Sequence, residues 1–471
     1  MRVLLLRPRT HERFGLGPFF RVEPLGLEYL GAALEADGHH VEIVDLRLGR
    51  LNLRGKQPDL IGISCIHSVD VPETLRLARE LKRRFRSAYV MVGGHAAAAA
   101  PASLSSPHVD AVGLGAGERS VRELARAIAG GASPSSLPGF AFRGRDLLRA
   151  SGGGGDVDPT LLPARRLVAR HRSGYRCVHR SPIWALETGR GCPFRCAFCA
   201  VGRADSYQPR DLASVCRDFE SVGRDVFIVD DLFFYPRERS HALARALGAS
   251  GTRKRWLLAQ TRADTVARSP GLLEAWRPLS ESFDLFFGFE AATDEELSRL
   301  RKDSTIADTE EAVRSARSLG FGVTGNFVVD PDWDETDFER LWGLLERLRL
   351  DRVGFTVLTP LPGTSYFEQA KPRLVDGDLG RFDMHHVLWE PKLGRRRFYE
   401  LMVESWKKNV LASSHAPRRW RKWFRGVGLR DALALAGVLY RTQRLMDVDA
   451  YLDDTFPPEL PALLTTPVAG E

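Results

Sequence analysis

The chain contains few cysteines and no long apolar run. Six cysteines among 471 residues, unevenly spread, do not suit the disulfide framework of a secreted protein. The opening Met-Arg-Val-Leu-Leu-Leu-Arg-Pro interrupts its apolar run after four residues, and later runs are much shorter than a membrane span requires. We therefore expect a cytoplasmic protein without a secretion signal or a spanning helix. Its length and 44% hydrophobic content predict two or three domains with their own cores.

Concentrated positive charge is also scarce, although the formal net charge is +8. Most arginines are scattered along helical stretches such as residues 76–86, which is typical of solvated helix faces and predicts no nucleic-acid partner. One basic and aromatic cluster stands near the C-terminus: Arg418, Arg419, Trp420, Arg421, Lys422, Trp423, Phe424 and Arg425. This cluster fits either peripheral contact with an anionic membrane, at its inner face, or a packed terminal helix with a basic outer side.

Three of the six cysteines lie close together, as Cys192, Cys196 and Cys199 in Gly-Arg-Gly-Cys-Pro-Phe-Arg-Cys-Ala-Phe-Cys-Ala. Thiolates are the preferred ligands of iron-sulfur clusters, and three of them can hold a four-iron cube while its fourth iron stays open. A structural zinc site normally has a fourth thiolate or imidazole. No Cys or His lies between Cys199 and Cys216, so zinc is the weaker interpretation.

This spacing resembles the signature of the radical S-adenosylmethionine (SAM) enzymes, in which an aromatic residue precedes the last cysteine. Phe198 occupies that position. The resemblance implies a [4Fe-4S] cluster on Cys192, Cys196 and Cys199, which act as metal ligands and catalytic residues. It also implies that the open iron binds SAM and reduces it to a 5'-deoxyadenosyl radical.

The first 130 residues alternate apolar strand patterns with amphipathic helices, which predicts a doubly wound parallel sheet. Two helices are expected near residues 27–36 and 74–85. Five strands are expected at residues 3–6, 40–44, 60–64, 89–92 and 111–114. Such sheets bind ligands at the carboxyl ends of their strands, where glycine lets a flat ligand approach the backbone.

Set in front of a radical SAM motif, this Rossmann-like pattern resembles the cobalamin-binding domain of many such enzymes. The residues that match it, and that the resemblance implies as cofactor contacts, are Pro24, Gly26, Ser64, Cys65, His67, Gly93, Gly94, His95, Gly115, Gly117 and Glu118. Ala116 departs from the usual Gly-Glu-Gly-Glu. The Asp-x-His-x-x-Gly motif that supplies an imidazole to cobalt in other cobalamin proteins is absent, and the first loop reads Arg-Pro-Arg-Thr-His-Glu. We therefore expect no histidine ligand on the lower face of cobalt, which would favour transfer of the methyl group as a radical.

The second half reads as six strand-plus-helix units, the period of a partial (β/α)6 barrel. Its strands are expected at residues 183–187, 226–229, 256–259, 285–289, 323–329 and 353–358. The glycine-rich tract at residues 151–155 suits a linker. The predicted domains are therefore a cobalamin-binding domain at 1–135, a linker at 136–182, a radical SAM domain at 183–400 and a helical C-terminal domain at 401–471.

Polar residues recur where the barrel strands end, at the mouth that forms the active site of such barrels. The radical SAM resemblance makes several of them candidate SAM contacts, together with Phe198: Asp231, Gln260, Arg262, Glu290 and Asn326. Asp230-Asp231 replaces the Gly-Gly-Glu that many members carry after the second strand.

Among the cobalamin-dependent members, the chain is similar to the hopanoid C-3 methylase group in several strings, including Val229-Asp230-Asp231-Leu232-Phe233 and Met384-His385-His386. This similarity implies an enzyme that methylates an unactivated sp3 carbon, consuming two SAM molecules and using cobalamin as methyl carrier. The implied partners are a small-molecule or lipid substrate, expected to be a hopanoid, and an external donor such as flavodoxin or ferredoxin. The His385-His386 pair would either line the substrate pocket or consist of ordinary surface or core histidines. The alternatives are a radical cyclase or rearrangement enzyme, a methylase of another natural-product scaffold, and a cobalamin sensor or electron carrier.

Overall fold

The computed structural model describes residues 1–9, 14, 17, 20–52, 57–132, 134–143, 148–151, 157–201, 207–375, 377–410 and 429–453. The glycine tract at residues 152–155 and the basic and aromatic cluster at residues 418–425 lie outside this part of the chain.

The N-terminal region folds around a seven-stranded sheet. Its strands and the two short strands beside it are β1 (Arg2–Arg7), β2 (Phe20–Arg21), β3 (His40–Asp45), β4 (Leu60–Ser64), β5 (Tyr89–Gly93), β6 (Ala111–Gly113), β7 (Phe140–Arg143), β8 (Leu148–Ser151) and β9 (Arg176–Cys177). The order in the sheet is β3-β1-β4-β5-β6-β7-β8, and β2 pairs with β9 separately. The five strands predicted from the sequence are the parallel members of this sheet, which confirms the doubly wound arrangement.

Four helices cover this sheet: α1 (Leu25–Ala36), α2 (Val71–Arg84), α3 (His95–Ala99) and α4 (Ser120–Ala129). In α2, Leu77, Ala78 and Leu81 share one face and are fully buried, whereas Arg76 forms ion pairs with two glutamates of the same helix. An apolar stripe opposed by such a polar face is the pattern that seats a surface helix on a sheet.

The antiparallel strands β7 and β8 extend the first sheet past residue 135. Phe140 and Phe142 of β7 are buried in the core of the N-terminal region. The sequence pattern predicts a linker that begins at residue 136, before these strands. We propose that the boundary of the first domain follows β8 instead.

The second region contains the six parallel strands that were predicted, in sequential order, which confirms the barrel pattern. The short hairpin β11 (Gly189–Arg190) and β12 (Gln208–Pro209) accompanies β10 (Trp184–Leu186), β13 (Asp225–Ile228), β14 (Lys254–Thr261), β15 (Ser280–Glu290), β16 (Gly322–Val329) and β17 (Arg352–Val357). The helices between and after them are α5 (Leu212–Ser221), α6 (Arg237–Ala249), α7 (Ala263–Ala267), α8 (Leu272–Trp276), α9 (Asp294–Arg299), α10 (Ile306–Ser318), α11 (Glu335–Leu348) and α12 (Ser365–Ala370).

In the described part of the chain after the barrel, the helices are α13 (Arg395–Val410), α14 (Leu429–Thr442) and α15 (Val448–Leu452). Trp406 of α13 packs edge-on against Phe355 of β17, with ring centroids 5.0 Å apart, so this helix packs against the last strand of the second sheet. Among the described residues, no helix has the length and apolar content that crossing a membrane demands.

The first sheet and the barrel pack against each other. Trp256 of β14 is buried in the same core cluster as Val3 and Leu5 of β1. Glu23, just before α1, accepts a hydrogen bond of 2.6 Å from the backbone N–H of Ala185 in β10. Gly363 has φ +88°, and a Cβ there would overlap the carbonyl oxygen of Ala99 at the end of α3. The first sheet and the barrel therefore meet at several points.

Candidate active site

A cavity of about 480 Å³ lies where the carboxyl ends of the first sheet face the loops of the barrel. On the sheet side it is lined by every predicted contact of the N-terminal region except one: Pro24, Gly26, Ser64, His67, Gly93, Gly94, His95, Gly115, Gly117 and Glu118. The exception is Cys65, whose side chain is fully buried in the hydrophobic core behind the sheet edge. Burial raises the pKa of this thiol to about 12. The structure therefore does not bring Cys65 to the cavity.

The sheet wall of the cavity leaves room for a flat ligand at two glycines. No atom lies within 4 Å of the point that a Cβ would occupy at Gly26 or Gly93. Gly94 has a different role, because its φ is +121° and a Cβ there would overlap the backbone of Cys65. Phe20, which is 50% exposed, adds an apolar surface to the wall. These features fit a large planar group such as the corrin of cobalamin.

Glu118 enters an ion cluster that joins the first domain to the barrel. Its carboxylate lies 3.0 Å from Arg190 and 3.1 Å from Arg210, and both arginines also pair with Glu187. The guanidinium of Arg210 also lies over the ring of Tyr29, 3.6 Å from its centroid. We call Glu118, Glu187, Arg190 and Arg210 the interdomain clasp. Glu118 is predicted from the sequence as a cofactor contact, but its arginine partners are not. The only signal for them in the sequence is the position of Arg190 beside the cysteine motif.

The three cysteines of the motif lie half-buried on the loop that follows β11. Burial, followed by the neighbouring Cys199 and Cys196, raises the pKa of Cys192 to about 11, while Arg262 lowers it. Metal binding therefore has to displace a proton from this thiol. Within the described ranges, no three His, Cys, Asp or Glu side chains are grouped closely enough for a single metal ion. A four-iron cube takes one thiolate at each of three separate irons, and this loop supplies three thiols.

Two neighbouring aspartates after β13 hold the start of the cysteine loop. The carboxylate of Asp230 accepts hydrogen bonds from the backbone N–H and hydroxyl of Thr188, at 2.6 and 2.5 Å. Asp231 accepts one of 2.9 Å from the N–H of Gly191, directly before Cys192, and also lines the cavity. Burial raises the pKa of Asp230 to about 7, although the bonds from Thr188 lower it. Asp231, predicted as a SAM contact, thus lies between the cavity and the cluster loop.

Arg262 reaches the cysteine loop from the end of β14. Its guanidinium donates a hydrogen bond to Sγ of Cys196 at 3.5 Å and lies 3.8 Å from the ring centroid of Phe194. The buried carboxylate of Asp264 holds the same guanidinium at 2.9 Å. Charge-assisted hydrogen bonds to a cluster ligand stabilise the negative charge on its sulfur. Arg262 is therefore placed to act on the cluster ligand Cys196.

Glu290, at the end of β15, has a left-handed backbone with φ +69°, beside a register shift in its pairing with β16. Its carboxylate forms a buried ion pair of 2.7 Å with Lys302, which no motif in the sequence marks as a site residue. Lys302 also accepts a hydrogen bond at its carbonyl from Arg262. The predicted SAM contacts Arg262 and Glu290 are thus connected through Lys302.

The remaining candidates occupy separate places around the barrel. Phe198 packs into a small apolar cluster with Leu297, Leu300 and Leu358, which anchors the cysteine loop to α9. Gln260 is exposed at the end of β14. Asn326 lies within β16 and donates a hydrogen bond of 3.2 Å to the hydroxyl of Thr356.

The His385-His386 pair belongs to the packing of the protein. His386 is 1% exposed, and its Nδ1 lies 3.0 Å from Asp383. The ring of His385 contacts Phe14 edge-on, with centroids 4.8 Å apart. The structure therefore favours the second of the two interpretations offered for this pair.

Comparison with known proteins assigns both halves of this arrangement. A family model of the B12 binding domain matches residues 18–125, and one of the radical SAM superfamily matches residues 186–345. The hopanoid C-3 methylase of Methylococcus capsulatus is 31% identical over 415 residues, which cover 84% of this chain and 78% of that protein.

Two solved structures share the fold. The radical SAM methyltransferase TsrM from Kitasatospora setae, with cobalamin and a [4Fe-4S] cluster bound, superposes with a TM-score of 0.64 and 22% identity, over 80% of this chain and 76% of that chain. The cobalamin-dependent SAM radical enzyme OxsB superposes with a TM-score of 0.68 and 16% identity, over 96% of this chain and 74% of that chain. The protein thus uses cobalamin, SAM and a [4Fe-4S] cluster. Because a cavity for cobalamin opens beside a three-cysteine loop within this shared architecture, the chain belongs to the cobalamin-dependent radical SAM family, as a C-methyltransferase.

Proposed function

We propose that this enzyme methylates an unactivated sp3 carbon of a pentacyclic triterpenoid, the C-3 position in the first ring of a hopanoid. The observation that carries the proposal is the 31% identity with hopanoid C-3 methylase across 84% of the chain, because this similarity extends well beyond the two cofactor domains. A hydrogen at that position is far outside the acidity range of side-chain bases, so a polar methyl transfer would fail. A radical can remove this hydrogen atom, because hydrogen-atom abstraction does not depend on the acidity of the C–H bond.

When bound, the cluster and SAM supply a carbon radical that removes a hydrogen atom, and cobalamin supplies the methyl group. The protein holds the cofactors in position and excludes water from the site. Cys192, Cys196 and Cys199 would hold the cluster, Arg262 would hydrogen-bond the ligand at Cys196, and Asp231 would hold Gly191 beside it. The glycines of the sheet wall would receive cobalamin next to that loop.

The products of this reaction follow from its atoms and electrons. One SAM donates its methyl group and leaves S-adenosylhomocysteine, and the other takes the substrate hydrogen and leaves 5'-deoxyadenosine and methionine. The methyl group replaces the hydrogen. Each turnover would consume two electrons, one in the cleavage of SAM and one in the return of the corrinoid to its methyl-accepting state. We propose a flavodoxin or ferredoxin as the external low-potential donor of these electrons. We therefore expect one S-adenosylhomocysteine and one 5'-deoxyadenosine for each methyl group transferred.

Expression in a bacterium that makes hopanoids without methylating C-3 tests the substrate. Mass spectrometry of the extracted lipids should show a new hopanoid that is heavier by one methylene unit, and the extra mass should appear in the fragment that contains the first ring. The Cys199→Ala variant should give none, because it lacks a cluster ligand. The matched control is Cys216→Ala, which changes a half-buried cysteine of α5 outside the motif and should keep the product.

Three outcomes would overturn the hopanoid proposal. If the lipids remain unmethylated while the purified enzyme methylates a peptide or polar antibiotic scaffold, the family assignment survives and the substrate is different. If the product has the mass of its substrate, the enzyme is a cyclase or catalyses a rearrangement. A bound cobalamin without any turnover of SAM would instead favour a sensor or an electron carrier.

A further inference from the structure

The guanidinium of Arg262 is fixed by groups of the protein itself. Asp264 binds it through both carboxylate oxygens, at 2.9 Å from Nε and 3.2 Å from Nη2. Nη2 also donates to the carbonyl oxygen of Lys302, and Nη1 donates to Sγ of Cys196 at 3.5 Å. These bonds occupy four of the five N–H groups of an arginine side chain. The positive charge of Arg262 is therefore held in one position beside the sulfur of Cys196.

This geometry bears on the sequence-based prediction that Arg262 contacts SAM. Arginine binds a carboxylate best through two parallel N–H groups. Arg262 already uses such a pair for Asp264, so one N–H group remains for a second carboxylate. The sulfur of Cys196 already receives a hydrogen bond from Nη1. The arrangement favours the cluster ligand over SAM as the partner of this guanidinium.

The contact between Arg262 and Cys196 lies in a place where water screens charge weakly. Arg262 is 5% exposed, and Asp264 and Lys302 are buried beside it. The ring of Phe194 covers one face of the guanidinium, with the ring centroid 3.8 Å from Cζ. Electrostatic interactions are stronger in such surroundings than at an exposed surface. A charge at this position therefore acts on the sulfur almost without screening.

Reduction adds one negative charge to an iron-sulfur cluster. A cation beside a ligand sulfur and an N–H group bonded to it both stabilise the reduced form more than the oxidised form. Hydrogen bonds to the sulfurs, net charge and exposure to solvent are the means by which proteins set the potential of such clusters. A guanidinium is suited to this task because it keeps its charge at every pH at which the protein is folded.

We propose that Arg262 is a positioning residue that raises the reduction potential of the [4Fe-4S] cluster through Cys196, and that the negative charge of Asp264 limits this effect. In the reduction, one electron passes from the external low-potential donor to the cluster and the donor is oxidised. No covalent bond forms or breaks in this step. The effect depends on Cys196 as a cluster ligand and holds for any substrate of the enzyme.

A redox titration of the reconstituted enzyme, without SAM or substrate, measures the midpoint potential through the paramagnetic resonance of the reduced cluster. Arg262→Gln removes the charge and keeps an amide donor. We expect the ratio of reduced to oxidised cluster at a fixed potential to fall about tenfold, as for the loss of a charged hydrogen bond, which equals about 59 mV for one electron. Arg262→Lys keeps the charge and should shift the ratio less.

Two further variants separate this contact from a general effect of charge. Arg195→Gln is the matched control, because it removes an arginine that directly precedes Cys196 but is exposed, where water and salt screen its charge. It should shift the ratio much less than Arg262→Gln. Asp264→Asn removes the negative charge that offsets the guanidinium, so the ratio of reduced to oxidised cluster should rise. Damage to the fold would not move the two members of one ion pair in opposite directions.

The proposal is overturned if Arg262→Gln keeps the wild-type potential, or if Arg195→Gln shifts the potential as far as Arg262→Gln does. It is also overturned if Asp264→Asn lowers the potential, a result that does not require the Arg262 variants to assemble a cluster. Methylation of hopanoids is measured separately on lipid products. Failure of the substrate proposal would therefore leave this titration unchanged, and the reverse also holds.

Discussion

The six cysteines differ in what surrounds them, and this difference separates ligands from packing residues. Cys65 and Cys177 lie in apolar surroundings where burial raises the thiol pKa to about 12 and about 11. The motif cysteines share one loop beside Arg262, which donates to Cys196. Among the six cysteines, only those of this loop lie together beside an arginine. A nearby positive charge stabilises the thiolate form, which is the form that binds metal.

Replacing Cys192, Cys196 and Cys199 together with Ala should abolish both the iron-sulfur absorbance and the formation of 5'-deoxyadenosine. Cobalamin should remain bound, because none of the three side chains lines the cavity. Optical spectra of the reconstituted protein and chromatography of the SAM products measure these effects, with Cys216→Ala as the control. Continued cleavage of SAM by the triple variant would contradict the assignment.

Asp230 gives the protein a pH dependence of its own. Its pKa of about 7 lies above the ordinary value of 3.8, so between these pH values the folded state binds more protons than the unfolded state. The protonated carboxyl contributes fully to the free energy of unfolding below about pH 4, and this contribution is lost as pH rises through about 7. Each unit by which the folded-state pKa exceeds the ordinary value corresponds to a free energy on the order of 1 kcal/mol. Asp230→Asn cannot titrate, and its amide can replace the protonated carboxyl toward Thr188.

Urea unfolding of the apoprotein as a function of pH tests this interpretation. The midpoint for the wild type should fall relative to that of Asp230→Asn as pH rises from 4 to 7. Parallel curves for the two proteins would show that the carboxyl is ionised throughout this range.

Between elements, the interdomain clasp joins the loop after β6 to the hairpin strand β11, two residues before the cysteine motif. Glu118→Gln removes a buried negative charge that pairs with Arg190 and Arg210. Removal of one partner from a buried ion pair is strongly destabilising because the other charges stay buried without compensation. We expect methyl product to fall roughly tenfold or more, a loss of about 1.4 kcal/mol. Formation of 5'-deoxyadenosine should fall less, because the cluster ligands are unchanged.

The ratio of 5'-deoxyadenosine to methylated product measures this uncoupling. The matched control is Glu80→Gln, which removes a partially exposed ion pair with Arg76 on α2, where such pairs contribute little. An equal fall of both products in Glu118→Gln would indicate general loss of folded enzyme and would contradict a positioning role for the clasp.

For the whole molecule, the basic and aromatic cluster at residues 418–425 gives a prediction from sequence alone. If this cluster contacts membranes, the purified protein should bind vesicles of anionic lipid. The binding should weaken as the salt concentration rises, because salt screens the electrostatic attraction. Replacing Arg418, Arg419, Arg421 and Lys422 with Gln should abolish sedimentation with the vesicles. Equal binding to neutral vesicles, or none to either kind, would favour a packed helix with a basic outer face.

Much of this molecule was predictable from local patterns. The cysteine spacing identified the cluster loop, and alternating apolar strands and amphipathic helices predicted both parallel sheets, because these signals depend on residues close together in the chain. The strands β7 and β8 were missed since they are short and their pairing depends on the neighbouring β6.

Only the tertiary structure decided which side chains share a site. It placed Cys65 in the core while His67, two positions later, lines the cavity, because the strand ends at Ser64 and the chain turns into a short helix at Ser68, so strand alternation no longer sets the direction of these side chains. It also paired Glu118 with Arg190 and Arg210, which are 72 and 92 positions away along the chain. The sequence by itself determined the cofactors, because their ligands are local motifs. The way in which one cofactor faces the other depends on contacts between distant segments, which only the folded chain brings together.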